Sequence, residues 1–385
     1  MGNFASVISK GAKGTDVNIN DVAFINETDY VAVGGSVKYS NNDSFEGDFS
    51  STDKAFIKRL TKGSDKAIWT KEYKGEFYSV TTTNTGDIIA VGSSDFYGSG
   101  FIIKYSGDGT HLWKKNINAH DVTVDDENNC LVVGMNTISK FDSDGKQLWK
   151  KSVNNGYELL SCVQDAEQNY VVIGNYSTGG EGEPYESKAI IAKYSKSGEQ
   201  LWKKEYKETD DCALYSVKAL SDGGVVVVGS INNSVYSNND DDYSRSGSTD
   251  GIIIKYDNDG NIISKIQYDS AAPDECFRDI EIVSLNGKED IIIAVGESYD
   301  MDKEEGEVLI NKSSKALIVV FDGDKVLYEN TLTGYDVSRF KAISLYNNDW
   351  KNCVLIGSIF DDKGRKGGTP FELLYGGYQG LLMLK

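Results

Sequence analysis

The chain has 385 residues, with 40 glycines, 3 prolines and a formal net charge of -19. This charge argues against nucleic acid and anionic membrane surfaces as partners, because both attract clustered Lys and Arg. No stretch approaches the roughly 18 apolar residues of a membrane span, and the N-terminus lacks the basic and apolar regions of a secretion signal. We therefore expect no nucleic-acid binding and no membrane insertion, a protein or a glycan as partner, and a monomer as an isolated domain.

A short phrase, an apolar triplet followed by glycine, recurs seven times along the chain. The glycine that closes each phrase is named the marker glycine, and the stretch around it is a unit. The marker glycines of units 1 to 7 are Gly34, Gly92, Gly134, Gly174, Gly229, Gly296 and Gly357. Repetition of one supersecondary unit predicts a single repeat domain over residues 1–385, not the two or three domains that the length suggests.

Unit 2 shows the internal pattern, since its apolar alternation and turn residues predict four strands. These strands are residues 77–83, 88–93, 101–105 and 111–116, with NTGD and SGDG as the first and third connections. The pattern returns in unit 4 (YVVIG, then AIIAKYSKSGEQLWKKEY) and in unit 5 (VVVVG, then GIIIKYDNDGNIISKIQY). The connection between the second and third strands varies most in length, which predicts a variable loop there.

The two ends of the chain predict how the units are arranged. The last residues, GLLMLK from Gly380 to Lys385, are interpreted as a third strand with no fourth strand after it. ASVISKG, from Ala5 to Gly11, can supply that fourth strand, which would close a ring and leave only short protected edges. The predicted fold is all-β, a seven-bladed β-propeller of four-stranded antiparallel blades, closed by this N-terminal strand joining the last blade. A linear solenoid is disfavoured because neither end resembles a capping repeat.

The sequence IIxKYxxxGxxLWxK, which follows the apolar-glycine phrase in units 2, 4 and 5, resembles the bacterial β-propeller repeat of secreted and cell-surface proteins, the SBBP type. More loosely, it resembles the quinoprotein-like propellers. Unit 6 departs from the pattern, because ALIVVFDGDKVLYEN lacks both the Lys and the Trp, and unit 7 departs as well. The resemblance implies a binding or scaffold domain, favours an extracellular or cell-surface location, and carries no catalytic motif.

Up-and-down strands place the second-to-third loops on one face of a propeller, together with the links from each fourth strand to the next unit. Five long inserts gather there, at residues 36–53, 175–188, 230–250, 297–315 and 358–380. They are rich in Asp and Glu with interleaved Tyr, whose flat ring and polar tip suit protein or carbohydrate contact. The candidate ligand-binding residues are Tyr39, Asp43, Tyr236, Asp241, Tyr243, Tyr299, Asp300 and Tyr375. The alternative is a set of solvated loops that bind nothing.

A calcium ion is the one cofactor that the loops suggest, with Asp240, Asp242 and Asp302 as candidate ligands. These residues lack the spacing of a twelve-residue calcium loop with its glycine and terminal Glu. The turns DSDG and DNDG resemble metal loops, but their place between the third and fourth strands favours hairpin turns.

Repeated side chains are interpreted structurally. Trp69, Trp113, Trp149 and Trp202 occupy equivalent places in the fourth strand, which favours packing between neighbouring blades. Lys58, Lys104, Lys140, Lys193 and Lys255 recur in the third strand, and we expect them to face solvent or a blade edge, with a basic ring toward a ligand as the minor alternative. A disulfide between Cys212 and Cys276 stays open.

Catalysis has little support in the sequence, and no catalytic residue is assigned. The two histidines, His111 and His120, lie in no triad or metal spacing, and no nucleophile, phosphate-loop or dinucleotide motif occurs. The leading hypothesis is a non-enzymatic, surface-associated propeller that binds a protein or carbohydrate through its acidic, Tyr-containing loops. The alternatives are a carbohydrate-active enzyme with a carboxylate pair near the central channel and a structural assembly module without a small ligand.

Overall fold

The computed structural model describes residues 5–6, 15–38, 54–64, 66–94, 100–153, 156–178, 186–207, 211–232, 249–270, 274–285, 288–300, 313–332, 337–347, 349–361 and 366–375. These residues form 28 β-strands. No helix in this part of the chain is long and apolar enough to cross a membrane.

The strands follow the units in chain order. Strand β1 (Ala5–Ser6) precedes unit 1. Units 1 and 2 contain the next eight strands: β2 (Thr15–Phe24), β3 (Asp29–Lys38), β4 (Lys54–Thr61), β5 (Trp69–Lys74), β6 (Glu76–Thr82), β7 (Ile88–Ser93), β8 (Gly100–Tyr105) and β9 (His111–Asn116). Units 3 and 4 contain β10 (Asp121–Val124), β11 (Cys130–Gly134), β12 (Thr137–Phe141), β13 (Gln147–Ser152), β14 (Tyr157–Gln164), β15 (Tyr170–Thr178), β16 (Glu186–Tyr194) and β17 (Gln200–Tyr206). Units 5 to 7 contain β18 (Asp211–Ala219), β19 (Val225–Asn232), β20 (Thr249–Tyr256), β21 (Ile262–Tyr268), β22 (Asp274–Leu285), β23 (Lys288–Asp300), β24 (Ser313–Asp322), β25 (Lys325–Thr331), β26 (Val337–Tyr346), β27 (Asp349–Asp361) and β28 (Lys366–Tyr375).

The strands pair in antiparallel groups of four. Units 1 to 4 each form a separate four-stranded sheet, in the order β2-β3-β4-β5 for unit 1 and likewise for the next three. Strands β18 to β28 and β1 form one sheet of twelve strands, in which single parallel pairs, Thr249 with Asp274 and Ser314 with Val337, connect neighbouring groups. The prediction of an all-β propeller with four-stranded antiparallel sheets is confirmed, and each strand boundary predicted for unit 2 lies within one residue of the structure.

The prediction for the last third strand is wrong. That strand is β28, which pairs with β27 on one side and with β1 on the other, where Ala5 lies opposite Leu373. The run TPFELLY in β28 carries the apolar and aromatic residues of a strand, so the hairpin with β27 closes after a shorter loop than we predicted. The predicted strand from Gly380 to Lys385 lies outside the described residues.

Apolar residues of neighbouring units meet in seven clusters within the described part of the chain, one between each unit and the next. One of these clusters joins unit 7 to unit 1, where Val354 and Ile356 pack against Ile19 and Phe24. Burial of the middle strands between neighbouring units provides most of the core. A closed ring of seven blades fits this packing and the pairing of β1 with β28, and the blade count and the closure stay predictions.

A bulge in the first strand explains the marker glycines. In unit 1, Ile19 pairs with Gly34 and Asp21 pairs with Val33, so Asn20 is an extra residue. The same shift of register occurs opposite the marker glycines of units 2, 4, 5, 6 and 7. The bulge presses a backbone carbonyl against the glycine, because a Cβ added at Gly34 would lie 1.9 Å from the oxygen of Asn18. The glycine therefore repeats because no side chain fits at that position.

The prediction that the repeated tryptophans pack between units is confirmed. The indole Nε1 atoms of Trp69, Trp113, Trp149 and Trp202 donate to the oxygens of Gly107, Ser143, Lys196 and Asn258, at 2.9 to 3.1 Å. Each acceptor lies in the turn between the third and fourth strands of the next unit. The ring covers the turn glycine, since a Cβ added at Gly145 would lie 2.8 Å from Trp113. The tryptophan and the turn glycine are therefore matched across each of these unit boundaries.

The prediction that the repeated lysines face solvent or a blade edge is wrong about solvent for three of them, whereas the blade-edge alternative agrees with Lys104, which donates to Ser143 O of the next unit at 3.2 Å. Lys104, Lys140 and Lys193 are buried, and their ammonium groups form ion pairs with Asp87, Asp125 and Asp165 at 3.0, 2.9 and 2.5 Å. Each aspartate belongs to the connection between the first and second strands of the same unit. An ammonium group that leaves water needs a paired carboxylate, and this turn supplies it. Lys58 and Lys255 are partly buried.

Candidate functional site

The bulges of the first strands bring a set of side chains together near the axis of the propeller. The first strand of each blade is innermost, and the bulge lies near its start, at the end where the second-to-third loops emerge. The residue at this position in units 1 to 7, named the bulge residue, is Asn20, Tyr78, His120, Leu160, Tyr215, Arg278 and Lys341. All seven are partly buried.

Bulge residues of neighbouring units contact each other. The rings of Tyr78 and His120 meet edge to face at 6.0 Å, and the guanidinium of Arg278 lies 4.7 Å from the ring centre of Tyr215. Asn20 donates its side-chain amide to Glu76 Oε1 at 2.6 Å. The bulge residues therefore form a shared surface, although they come from different units.

Units 5, 6 and 7 supply the most polar part of this surface, which we name the arginine cluster. It consists of Tyr215, Arg278, Glu297, Tyr299, Arg339 and Lys341. Arg278 donates to Glu297 Oε1 through Nη2 at 2.7 Å and through Nε at 3.1 Å. Arg339 Nε lies 3.6 Å from Glu297 Oε2. The carboxylate is fully buried, whereas the side chains of Arg278 and Arg339 are about one third exposed, at 30% and 33%.

The charges of the arginine cluster are unbalanced. Burial would raise the pKa of Glu297, but Arg278 and the hydroxyl of Tyr299 hold it below its usual value. Burial and then the nearby charges of Arg339 and Arg278 lower the pKa of Lys341. Three basic side chains thus lie around one fully buried carboxylate, with the partly buried Glu76 as a further carboxylate near Lys341. Mutual repulsion among these cations is the condition that an incoming anion would relieve.

A belt of carboxylates follows the bulge residues along the first strands. Asp21 Oδ2 accepts the backbone N–H of Val80 at 2.8 Å, and Oδ1 accepts the N–H of Val22 at 2.7 Å. Asp121 makes the equivalent bond to Cys162 N at 2.8 Å. Each carboxylate therefore holds the first strand of another unit in place.

Serine side chains of units 2 and 5 complete the belt. Ser79 Oγ donates to Asp121 Oδ1 at 2.6 Å, and Ser216 Oγ donates to Asp279 Oδ1 at 2.7 Å. Asp279 Oδ2 accepts Ile343 N at 2.9 Å. Both oxygens of these aspartates are thus engaged by the scaffold, which makes their role one of joining units at the axis.

Asp21 gives the belt a dependence on pH. Burial, together with Asp279 and Asp121, raises the pKa of Asp21 from 3.8 to about 7 against the opposing bond from Val80. Between about pH 4 and about pH 7 the folded protein keeps this proton while the unfolded chain releases it. The contribution of Asp21 to the free energy of unfolding therefore falls as the pH rises through that window.

We expect Asp21→Asn to reduce the loss of stability between about pH 5 and about pH 7.5 by on the order of 1–3 kcal/mol. Urea unfolding curves recorded at a series of pH values measure this difference. Replacement of the exposed Asp324 by Asn is the matched control and should follow the wild-type pH profile. An Asp21→Asn profile parallel to wild type would show that this carboxyl does not titrate in the window.

One predicted site residue lies in the arginine cluster. Tyr299 is partly buried near the end of β23, where burial and the neighbouring Glu297 raise its pKa. Asp300 ends the same strand, and Tyr375 ends β28. The other five predicted residues lie outside the described part of the chain: Tyr39, Asp43, Tyr236, Asp241 and Tyr243. The candidate calcium ligands Asp240, Asp242 and Asp302 lie outside it as well.

The cysteines are buried, and both histidines contact neighbouring groups of the scaffold. All five cysteines are buried free thiols, so Cys212 and Cys276 do not form a disulfide. His120 is a bulge residue whose Nδ1 lies 3.2 Å from the oxygen of Leu159, and His111 packs against the ring of Tyr105. The prediction that no triad includes these histidines stays a prediction.

Sequence reasoning missed the arginine cluster because no motif links its members. Arg278 and Lys341 are bulge residues, and each directly follows the residue that pairs with the marker glycine of its own unit. The recurring glycine is therefore the available signal, since it marks the place where a first strand bulges.

The family model described as outer membrane protein assembly factor BamB matches residues 53–183. No curated protein sequence matches the chain. The matched residues run from unit 1 into unit 4, where the repeat is most regular.

Solved structures with a similar fold share little sequence with this chain. Hydrazine synthase from Kuenenia stuttgartiensis has a TM-score of 0.60 at 10% identity, covering 95% of this chain and 98% of that one. Streptogramin B lyase has a TM-score of 0.53 at 12% identity, covering 96% and 97%. The WD40 domain of Pan2 from Neurospora crassa has a TM-score of 0.53 at 9% identity, covering 97% and 98%.

These similarities define a class of fold. The repeat match and the β-propeller structures together support a quinoprotein-like propeller, the looser of the two resemblances in the sequence. At these identities the solved structures define the fold alone, because propellers with one architecture perform many unrelated tasks.

Proposed function

We propose that this protein is a non-enzymatic, surface-associated interaction propeller that binds a protein partner through its loop-bearing face. The arginine cluster is the anchor of this interface and receives a carboxylate of the partner, from an acidic side chain or a chain terminus. The observation that carries the proposal is the sharing of one buried carboxylate, Glu297, among three basic side chains at a partly exposed position.

Arg278 has the geometry of an anchoring residue. Glu297 fixes one edge of its guanidinium, and the ring of Tyr215 supports the planar group from one side. A guanidinium that is already oriented loses less side-chain entropy on binding, and Arg pairs with carboxylates through two parallel hydrogen bonds. Arg and Tyr are also the residue types that contribute most to binding energy at protein interfaces.

The predicted acidic loops extend this proposal to the rim. The candidate residues there are Tyr39, Asp43, Tyr236, Asp241, Tyr243, Asp300 and Tyr375. Their carboxylates suit a partner that presents basic groups around a central acidic one. Such opposed charges at the rim and centre favour one orientation of the partner and raise its association rate.

The two alternatives from the sequence are less well supported. A carbohydrate-active enzyme needs an acid and a second carboxylate free to act on the substrate, whereas Asp21, Asp121 and Asp279 bind backbone amides or serine hydroxyls of the scaffold and Glu297 is paired with Arg278. Neither a glycan-binding role nor a purely structural role without a ligand explains the excess positive charge of the arginine cluster.

A peptide-display library selected on the immobilised protein tests the proposal. We expect the enriched peptides to contain Asp, Glu or a free carboxyl terminus, and the best synthetic peptide to bind Arg278→Ala at least about 30-fold more weakly than wild type. Lys341→Gln should weaken it about tenfold. The matched control is Lys150→Ala, which removes an exposed cation from an outer strand and should leave the affinity unchanged.

The same variants distinguish the proposed protein-binding role from the alternative functions. Equal affinity of the peptide for Arg278→Ala and Lys150→Ala would overturn the anchoring role. Binding on a glycan array that survives Arg278→Ala and Lys341→Gln would replace the proposal with a lectin-like function. Circular dichroism of each variant excludes loss of fold as the cause of lost binding.

A further inference from the structure

Three carboxylates meet at the junction of units 5 and 6, outside the arginine cluster. They are Asp250 in β20, Asp269 in the link after β21, and Glu275 in β22. One oxygen atom from each lies within 4.8 Å of the other two. Asp250 and Glu275 are buried, and Asp269 is exposed. The arrangement joins two neighbouring units and opens toward solvent on the side of Asp269.

One carboxylate oxygen of Glu275 is buried and accepts no hydrogen bond from the described residues. Its Oε1 accepts hydrogen bonds from the backbone N–H of Ser270 at 3.3 Å and from the hydroxyl of the same residue. Its Oε2 is buried and has no hydrogen-bond partner among the residues that the structure describes. The whole side chain is 0% exposed. A fully buried carboxylate oxygen without a donor is rare, because water is lost and nothing replaces it.

The three carboxylates lie close enough to interact directly. Asp250 Oδ2 accepts a hydrogen bond from the side-chain amide of Gln267 at 2.5 Å. Three carboxylate oxygens that lie within 4.8 Å of one another repel, and a cation between them would relieve this repulsion.

We propose that Asp250, Asp269 and Glu275 bind one calcium ion. Calcium takes carboxylate oxygens at 2.3–2.6 Å, so two ligands on opposite sides of the ion lie about as far apart as the spacing within this cluster. Magnesium requires shorter bonds and near-ideal octahedral geometry, which three carboxylates from two units satisfy less well. The exposed side at Asp269 leaves room for the water molecules that complete the coordination.

The ion would tie the two units together at a defined point. Thr249 and Asp274, the residues next to Asp250 and Glu275, form the single parallel pair between β20 and β22. Thr249 N also donates to Asp274 Oδ1 at 2.7 Å. The proposed ligands therefore flank an existing contact between the units, and the site differs from the three loop aspartates suggested by the sequence.

Isothermal titration of the chelator-treated full chain with calcium chloride tests the proposal. We expect binding at one site with this ligand set, with the affinity for calcium at least tenfold above that for magnesium. Glu275→Gln should weaken calcium binding at least tenfold, and Asp269→Asn should weaken it to a smaller extent. Because Asp269 is exposed, its variant tests the site without disturbing the core.

A triple variant, Asp240→Asn, Asp242→Asn and Asp302→Asn, is the control for binding in the loops. It should keep the wild-type affinity if the proposed site is correct. Loss of binding in this variant with full binding in Glu275→Gln would overturn the proposal, as would the absence of any calcium-dependent heat or rise in melting temperature in the wild-type protein. Without calcium, Glu275→Gln should melt no earlier than wild type, because the change removes a repulsive buried charge.

Discussion

Replacement of Gly34 by alanine is expected to destabilise the protein by more than about 3 kcal/mol, whereas the same replacement at Gly35 costs less than about 1 kcal/mol. A Cβ at Gly34 would lie 1.9 Å from the backbone oxygen of Asn18, and relief of that contact requires the bulge of β2 to move. A Cβ at Gly35 would meet the Cγ atom of Glu76 at 3.1 Å, and this side chain can shift by a few tenths of an ångström.

The two adjacent glycines form a matched pair, because neither has the positive φ that would add backbone strain. Urea unfolding followed by tryptophan fluorescence measures both variants. Equal destabilisation by the two replacements would contradict the steric explanation of the marker glycine and would point to a loss of strand pairing common to both. Gly229→Ala should repeat the Gly34 result, because its Cβ would lie 1.9 Å from Ala213 O.

The second large effect is expected at the buried ion pair of unit 4. Asp165→Asn should lower the free energy of unfolding by about 3–5 kcal/mol, because it leaves the buried Lys193 ammonium group beside a neutral amide, with the exposed carboxylate of Glu167, 3.8 Å away, as its remaining counter-charge. The side chains of Lys193 and Asp165 are 2% and 0% exposed, and their charged atoms lie 2.5 Å apart. Asn keeps an oxygen that can accept the turn amides of Glu167 and Asn169, so the change isolates the charge.

Two further variants separate charge from packing. The double variant Asp165→Asn and Lys193→Met should recover at least half of the lost stability, because it removes the buried cation that has lost its nearest carboxylate and keeps an apolar stem of similar length. Glu72→Ala breaks the exposed pair between Lys54 and Glu72 and should cost less than about 1 kcal/mol. If Asp165→Asn costs no more than Glu72→Ala, the buried pair does not hold the blade together.

These two predictions concern the same feature of the fold, which is how each unit positions its inner strand. The buried pairs Lys104 with Asp87, Lys140 with Asp125 and Lys193 with Asp165 fix the turn at one end of the blade. The bulge and the marker glycine fix the other end, where the bulge residues form the candidate site. A propeller scaffold that fixes both ends of its inner strands suits recognition, because the anchoring side chains are held in place before a partner arrives.

Local patterns determined much of this protein from the sequence alone. Alternating apolar residues and glycine-containing turns specify the strands of unit 2 to within one residue, since both act over a few neighbouring positions. The repeated tryptophan was read correctly as packing, because a large ring at an equivalent place in four units has a common environment. The last strand was misplaced, since TPFELLY and GLLMLK satisfy the same local pattern and only the pairing of β28 with β27 and β1 distinguishes them.

The candidate site was decided by the tertiary structure. A bulge is a mismatch between two strands, so neither strand shows it in its own pattern. Glu297 meets Arg278 across one strand pair and Arg339 across the boundary with the next unit. The buried lysines could not be predicted for the same reason. The alternation of apolar and polar residues in the third strand predicts that these lysines point outward, but in the folded unit Lys193 pairs with Asp165, which lies in a turn about 30 residues earlier. Strands and turns follow from neighbours along the chain, whereas the pairing of charges follows from which strands the tertiary packing brings together.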